Sequence, residues 1–355
     1  MSDRMYGQFI RWLTVVFLYV SVASVVLVVS LLRPGVHVGK GTFVDMIHGE
    51  AHRPYVYRTL LPSLVRAVGD ASEPILAARQ VDRNDTVIAG LAHRILWRTK
   101  APKSAFEHKY EYGVCFAIQF LCILGFGVLL KLLSDAVYPD FPGFVSILGP
   151  VIALSVIPPM FFRYGQYIYD PMTLFLFALC VYLILVRRHV AYVAVFTIAV
   201  FNKETAILLI PVFALRERGL IPWRRLVALT LLQALLYVCV KLWLAHLYRE
   251  NPGSFVEFHL LDHNVKLVTN PEFYVRNLIV LVPIVTLITH RWKEKPVFLR
   301  HSLVACSIPL VTLATFLGFV DELRGYYELY PFVYLLALPT LVEVLGIGVV
   351  EKESR

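Results

Sequence analysis

Long runs of apolar residues dominate the chain. They fall at about 10–33, 113–133, 144–162, 171–186, 226–247, 273–289, 297–320 and 329–349. A helix rises about 1.5 Å per residue, so runs of roughly 20 apolar residues match a bilayer core about 30 Å thick. The pattern predicts an all-α fold: a polytopic transmembrane helical bundle of about eight full spans. The first run, from Trp12 to Leu32, exceeds a signal-peptide core and lacks a convincing cleavage site, so it reads as the first span.

One stretch departs from this pattern. Val190–Val200 is apolar, Phe201-Asn202-Lys203-Glu204-Thr205 interrupts, and Ala206–Leu215 is apolar again. Each half is long enough for only about half a bilayer. Either one crossing buries Lys203 and Glu204 near its centre, or two short helices form a broken, re-entrant pair with those residues at the tip. A midplane charge costs about 2.5–3.5 kcal/mol on insertion scales, which favours the tip. The basic residues point the same way. With a cytoplasmic N-terminus and a fold-back at 190–215, Arg187-Arg188, Arg216–Arg225 and Arg291–Arg300 all fall on the inner side. Few Lys or Arg remain in the short outer segments, as the positive-inside rule requires.

Residues 34–112 then form a long extracytoplasmic loop inside a single integral membrane domain, 1–355. Within it, Tyr57–Val68 and Thr86–Trp97 read as amphipathic helices. Val87, Ile88, Leu91 and Ile95 share one face of the second, and Asn84 or Asp85 is placed to cap it. Helices of this kind lie flat at the membrane interface.

Composition agrees. Hydrophobic residues make up 58% of the chain and charged ones 17%, too little charge for a soluble domain of this length. The net charge of +9 does not imply nucleic acid, because Lys and Arg cluster between apolar runs where lipid headgroups are the natural partners. The five cysteines sit inside apolar runs and form no C-x-x-C pair, so they read as small hydrophobes. No P-loop, dinucleotide fingerprint, H-E-x-x-H or G-x-S-x-G motif is present, and no cofactor is implied.

The fold-back places most remaining polar clusters on one face: Asp45 and Glu50, Arg163 to Asp170, Asn202 to Thr205, Asp262-His263, and Asp321 to Glu328. Carboxylates interspersed with Arg, Lys and Tyr suit a phosphate-bearing, hydroxyl-rich ligand. Asp45 or Glu50 is a candidate general base, and Arg53 or Arg58 a phosphate clamp. His48 and His52, at i and i+4, would share a face for a metal if helical. Asp170 with Pro171 is either a helix start or a ligand group. Lys203 and Glu204 are either a self-paired tip or part of a site. Arg324 is either a phosphate ligand or the i,i+4 partner of Glu328.

The stretches Tyr57-Arg58-Thr-Leu-Leu-Pro62, Tyr169-Asp170-Pro171, Asn202-Lys203-Glu204-Thr205 and Glu322-Leu-Arg324, within this arrangement of spans and outer loops, resemble the C-type (GT-C) membrane glycosyltransferases. That family usually carries an acidic pair in its first outer loop; here Asp45 stands alone, with Glu50 further on. The resemblance implies a bacterial inner-membrane enzyme that moves a sugar from a polyprenyl-phosphate-type donor to an extracytoplasmic acceptor. It implies Asp45 as the base that deprotonates the acceptor hydroxyl. Arg58, Lys203 and Arg324 are the candidates to receive the departing phosphate, with Glu204 and Glu322 orienting them. The rival reading is a multispan transporter or flippase, since a broken helix at membrane depth also suits a transport site. A non-catalytic assembly subunit and a polysaccharide polymerase or ligase are further alternatives.

Overall fold

Prolines and threonines set where many of the helices begin. Thr42 and Thr86 each accept a backbone N–H from the first turn of the helix that follows, and Pro142, Pro222 and Pro296 each stand immediately before one. The computed structural model describes residues 3–31, 40–157, 167–254, 256–267 and 269–347. In chain order the helices are α1 (Asp3–Leu31), α2 (Phe43–His48), α3 (Leu60–Ala78), α4 (Val87–Arg98), α5 (Lys103–Glu107), α6 (Lys109–Val137), α7 (Gly143–Val156), α8 (Asp170–Leu185), α9 (His189–Asn202), α10 (Leu209–Glu217), α11 (Trp223–Leu247), α12 (Val265–Leu267), α13 (Pro271–Thr289), α14 (Val297–Leu317) and α15 (Tyr330–Val344). The fold is all-α, and no strand occurs among the described residues.

Among the described residues, four helices are long and apolar enough to cross a membrane: Trp12–Leu31 within α1, then α6, α11 and α14. The expectation of about eight full spans is therefore met only in part. α7 has 14 residues, α8 has 16 and α15 has 15, so each reaches only about 21–24 Å. Asp170-Pro171 starts α8 abruptly. Residues 158–162 of the run expected at 144–162, and Arg163, lie outside the described residues.

α6 packs against α1, α4, α7 and α8; α8 packs in turn on α9 and α10, and α10 on α14. The core between them is aromatic and aliphatic, with Phe126, Leu130, Val181, Phe196, Phe213 and Phe332 fully buried. By contrast, α11, α13 and α14 turn Leu235, Leu242, Ile279 and Ile308 outward. In water such a surface would be costly; facing lipid it costs little.

The 190–215 region doubles back. Tyr192 donates to the Leu209 carbonyl at 3.1 Å and stacks on Phe213 with ring centroids 5.2 Å apart. His189, at the start of α9, lies 3.2 Å from Glu217, at the end of α10. The two arms thus run side by side, and Lys203 stands at the turn. Arg187 also reaches Glu217, at 3.7 Å, so the basic turns close the base of the hairpin, away from its tip.

The first long loop joins the core. Phe43, Met46, Val56 and Leu61 are buried there. α3 is longer than its amphipathic pattern indicates and starts three residues later, at Leu60. α4 is capped by Thr86; Asn84 and Asp85 fall instead in a short 3-10 turn capped by Asp82. α4 buries Ala89, Ala92 and Leu96, and leaves Val87 and Leu91 exposed. Its approach to α6 depends on Gly113, where a Cβ would lie 2.5 Å from the Ile88 carbonyl oxygen.

Candidate functional site

The hairpin tip carries the chemistry. α9 ends at Asn202, Lys203 is fully extended (φ −157°, ψ 144°), and a 3-10 turn over Glu204–Leu208 leads into α10. An extended residue between two helices projects successive side chains in different directions. Asn202 donates to Thr173 at 2.9 Å and to the Tyr169 carbonyl at 3.3 Å, pinning the tip to the start of α8. Lys203 donates to Glu328 Oε1 at 2.9 Å, and Thr205 donates to the same oxygen. Glu204 turns the other way and takes a two-pronged bond from Arg58, at 2.6 and 3.3 Å.

A second set of pairs continues the network. Arg324, in the 3-10 segment Leu323–Leu329, reaches Asp170 at 3.4 Å and Glu322 at 2.8 Å through its Nε. Asp170 also accepts the Tyr167 backbone N–H at 2.9 Å. Tyrosines join the two halves. Arg58 bonds the Tyr169 hydroxyl and lies 4.3 Å from that ring's centroid. Arg324 lies 3.8 Å from the ring centroid of Tyr167, and Tyr167 stacks on Tyr169 at 5.4 Å. Stacked guanidinium groups on tyrosine faces gain cation–π energy beyond their ion pairs.

Burial and charge oppose each other here. Burial disfavours ionisation of Glu204, but the charge and hydrogen bonds of Arg58 outweigh it and hold the carboxyl well below the usual carboxylate range. Arg58 shows the counterpart: burial works against its charge, and Glu204 with Tyr169 holds its pKa well above the ordinary value. In Arg324 burial is likewise outweighed, chiefly by Asp170 and Glu322. Asp170 differs. Its burial wins over the pull of Arg324 and Lys203, and its pKa is raised. The network is close to electroneutral. Arg58, Lys203, Arg324 and Lys241 balance Glu204, Glu328, Asp170 and Glu322, and it opens to solvent chiefly at Glu204, whose side chain is 41% exposed.

Six residues singled out in the sequence therefore meet in one network: Arg58, Asp170, Lys203, Glu204, Glu322 and Arg324. Asp45 does not join them. It lies in the first turn of α2, where its carboxylate accepts from Thr42 at 2.6 Å and its backbone N–H donates to the same hydroxyl. Two expectations change. Arg324 pairs with Asp170 and Glu322 rather than with Glu328, because Glu328 turns to Lys203. His48 and His52 do not share a helix face: α2 stops at the left-handed Gly49, and His48 packs on His108. Elsewhere, His263 pairs with Asp321 at 3.0 Å.

Sequence reasoning missed Lys241, the ring of Tyr55, whose centroid lies 5.5 Å from the Arg58 guanidinium, and the pairing of Glu328 with Lys203. Lys241 interrupts an apolar helix and donates to the Val200 carbonyl at 2.9 Å, near Glu204. A single lysine within a span is itself a signal, because its cost there demands a partner. Comparison of the chain with protein-family models, curated proteins and solved structures gave no match.

Proposed function

We propose that this chain is a multi-pass membrane glycosyltransferase that moves a sugar from a polyprenyl-phosphate-type donor to an extracytoplasmic acceptor. In this reading the α9–α10 hairpin is re-entrant, about eight segments traverse the membrane, and the N-terminus faces a bacterial cytoplasm. The observation that supports it is the convergence of three cations, Arg58, Lys203 and Arg324, each held by a carboxylate at one end of the bundle. Such a site can exchange a carboxylate partner for a phosphate, since both accept the same forked or charge-assisted bonds.

The reaction then divides between two regions. Asp45 takes the proton from the acceptor hydroxyl, whose oxygen attacks the anomeric carbon. The bond from that carbon to the lipid phosphate breaks, and its electron pair leaves on the phosphate. Arg58, at the more open edge of the network, and Arg324 receive that charge, while Glu204, Glu322 and Asp170 keep the guanidinium groups aimed. Preorganised donors of this kind are worth about 10²–10³ in turnover each.

The test uses purified protein in lipid vesicles with a panel of radiolabelled polyprenyl-phosphate sugars. Arg324→Gln is expected to lower turnover about 10²–10³-fold. Asp45→Asn is expected to abolish transfer while the protein still inserts and melts as the wild type does. Full activity in both variants overturns the assignment. The transporter or flippase reading shares the broken hairpin, and it requires a cysteine at position 202 to react with impermeant reagents from each side in turn.

A further inference from the structure

A second feature of the hairpin tip lies beneath the ion pairs. A small pocket is lined on its polar side by Thr173, Asn202, Lys203, Thr205 and Glu328, and on its apolar side by residues that include Phe177. It has room for about one water molecule. Glu328 is fully buried and Asn202 is 2% exposed.

The hydrogen bonds around this pocket leave two acceptors over. Both N–H groups of the Asn202 amide are in use, on Thr173 and the Tyr169 carbonyl, while its Oδ1 has no partner. Glu328 Oε1 takes bonds from Lys203 and Thr205, while its Oε2 has none. Buried acceptors in this state are rare in folded proteins, and ordered water is the usual partner. Lys203 carries three N–H donors, and one of them goes to Glu328.

We propose that one ordered water occupies this pocket, donating to Glu328 Oε2 and Asn202 Oδ1 and accepting from the Lys203 ammonium. The three bonds are the typical number for an internal water. A metal cation fits less well, because the ammonium already stands 2.9 Å from the pocket's carboxylate and repels a second positive charge. A protonated Glu328 bonded directly to Asn202 would weaken the ion pair with Lys203. The water makes the end of α9, the extended Lys203 and the Leu323–Leu329 segment one hydrogen-bonded unit. The tip is thereby fixed to the segment that carries Arg324.

The test is a structure of the full chain in lipid nanodiscs, at a resolution that shows ordered waters elsewhere in its interior. The expected result is a single compact peak within about 2.7–3.2 Å of both oxygens. Asn202→Leu, which fills the space and removes one acceptor, is expected to lose that peak. An empty pocket in the wild type overturns the proposal. So does a direct bond between Asn202 Oδ1 and Glu328 Oε2, or a peak whose number of ligands and contact distances identify a metal ion. Should Asn202→Leu fail to fold, the wild-type density alone decides.

Discussion

At the scale of single residues, Arg58, Lys203 and Arg324 are each held by a buried or half-buried carboxylate, and removing one partner strands the other. Glu328 is the extreme case, since it is fully buried. Lys203→Met is expected to destabilise the protein by about 3–5 kcal/mol, because an uncompensated buried charge remains. Lys203→Met combined with Glu328→Leu is expected to recover most of that loss. Equilibrium unfolding in detergent measures both. Glu204 gives a pH-dependent signature. Its folded carboxyl is held below the ordinary value, so the unfolded chain takes up the proton first as pH falls. Its contribution is therefore complete above about pH 4.5 and drains away below it. The gap in melting temperature between wild type and Glu204→Gln is expected to be full at neutral pH and to close in acid. A gap that is constant down to pH 3 would remove Arg58 as its cause.

At the scale of elements, apolar runs indicated most helices but not where they stop. The reason is visible in α7: Pro142 sets its start, and the helix finishes after 14 residues at Val156, inside an apolar run that continues to about 162, whereas α8 ends within one residue of its run. The α9–α10 break was legible, because two adjacent charges inside 26 otherwise apolar residues need a tip or a partner. The partners themselves were not legible. Glu328 is closer in sequence to Arg324 than to Lys203, and only the packing of α10 against α14 and α8 brings the tip to it. The α4–α6 contact was equally hidden, since Val87 and Leu91 of the amphipathic face of α4 point outward while Ala89, Ala92 and Leu96 are buried. Gly113→Ala is expected to push α4 off α6 and cost about 1–3 kcal/mol, because the new methyl meets backbone rather than a movable side chain. A melt unchanged from wild type would show that the two helices separate freely.

At the scale of the whole molecule, the account depends on the chain reversing at Lys203. The reversal gathers Arg58, Asp170, Glu204, Arg324 and Glu328 at the tip, while Arg187 and Glu217 lock the base. A straight crossing would place the two ends of the 189–217 segment on opposite faces. Asp45 is the piece that sequence reasoning placed in the mechanism and the fold holds apart from the ion pairs, in a helix cap with Thr42. Its proposed role thus depends on substrate bridging the two regions. The reversal itself can be read without any substrate. In sealed vesicles of known orientation, with the five native cysteines replaced, single cysteines at Arg188, Glu204 and Arg218 are treated with a membrane-impermeant maleimide. The account expects positions 188 and 218 to label from the same side and position 204 from the other; labelling of 188 and 218 from opposite sides would contradict it.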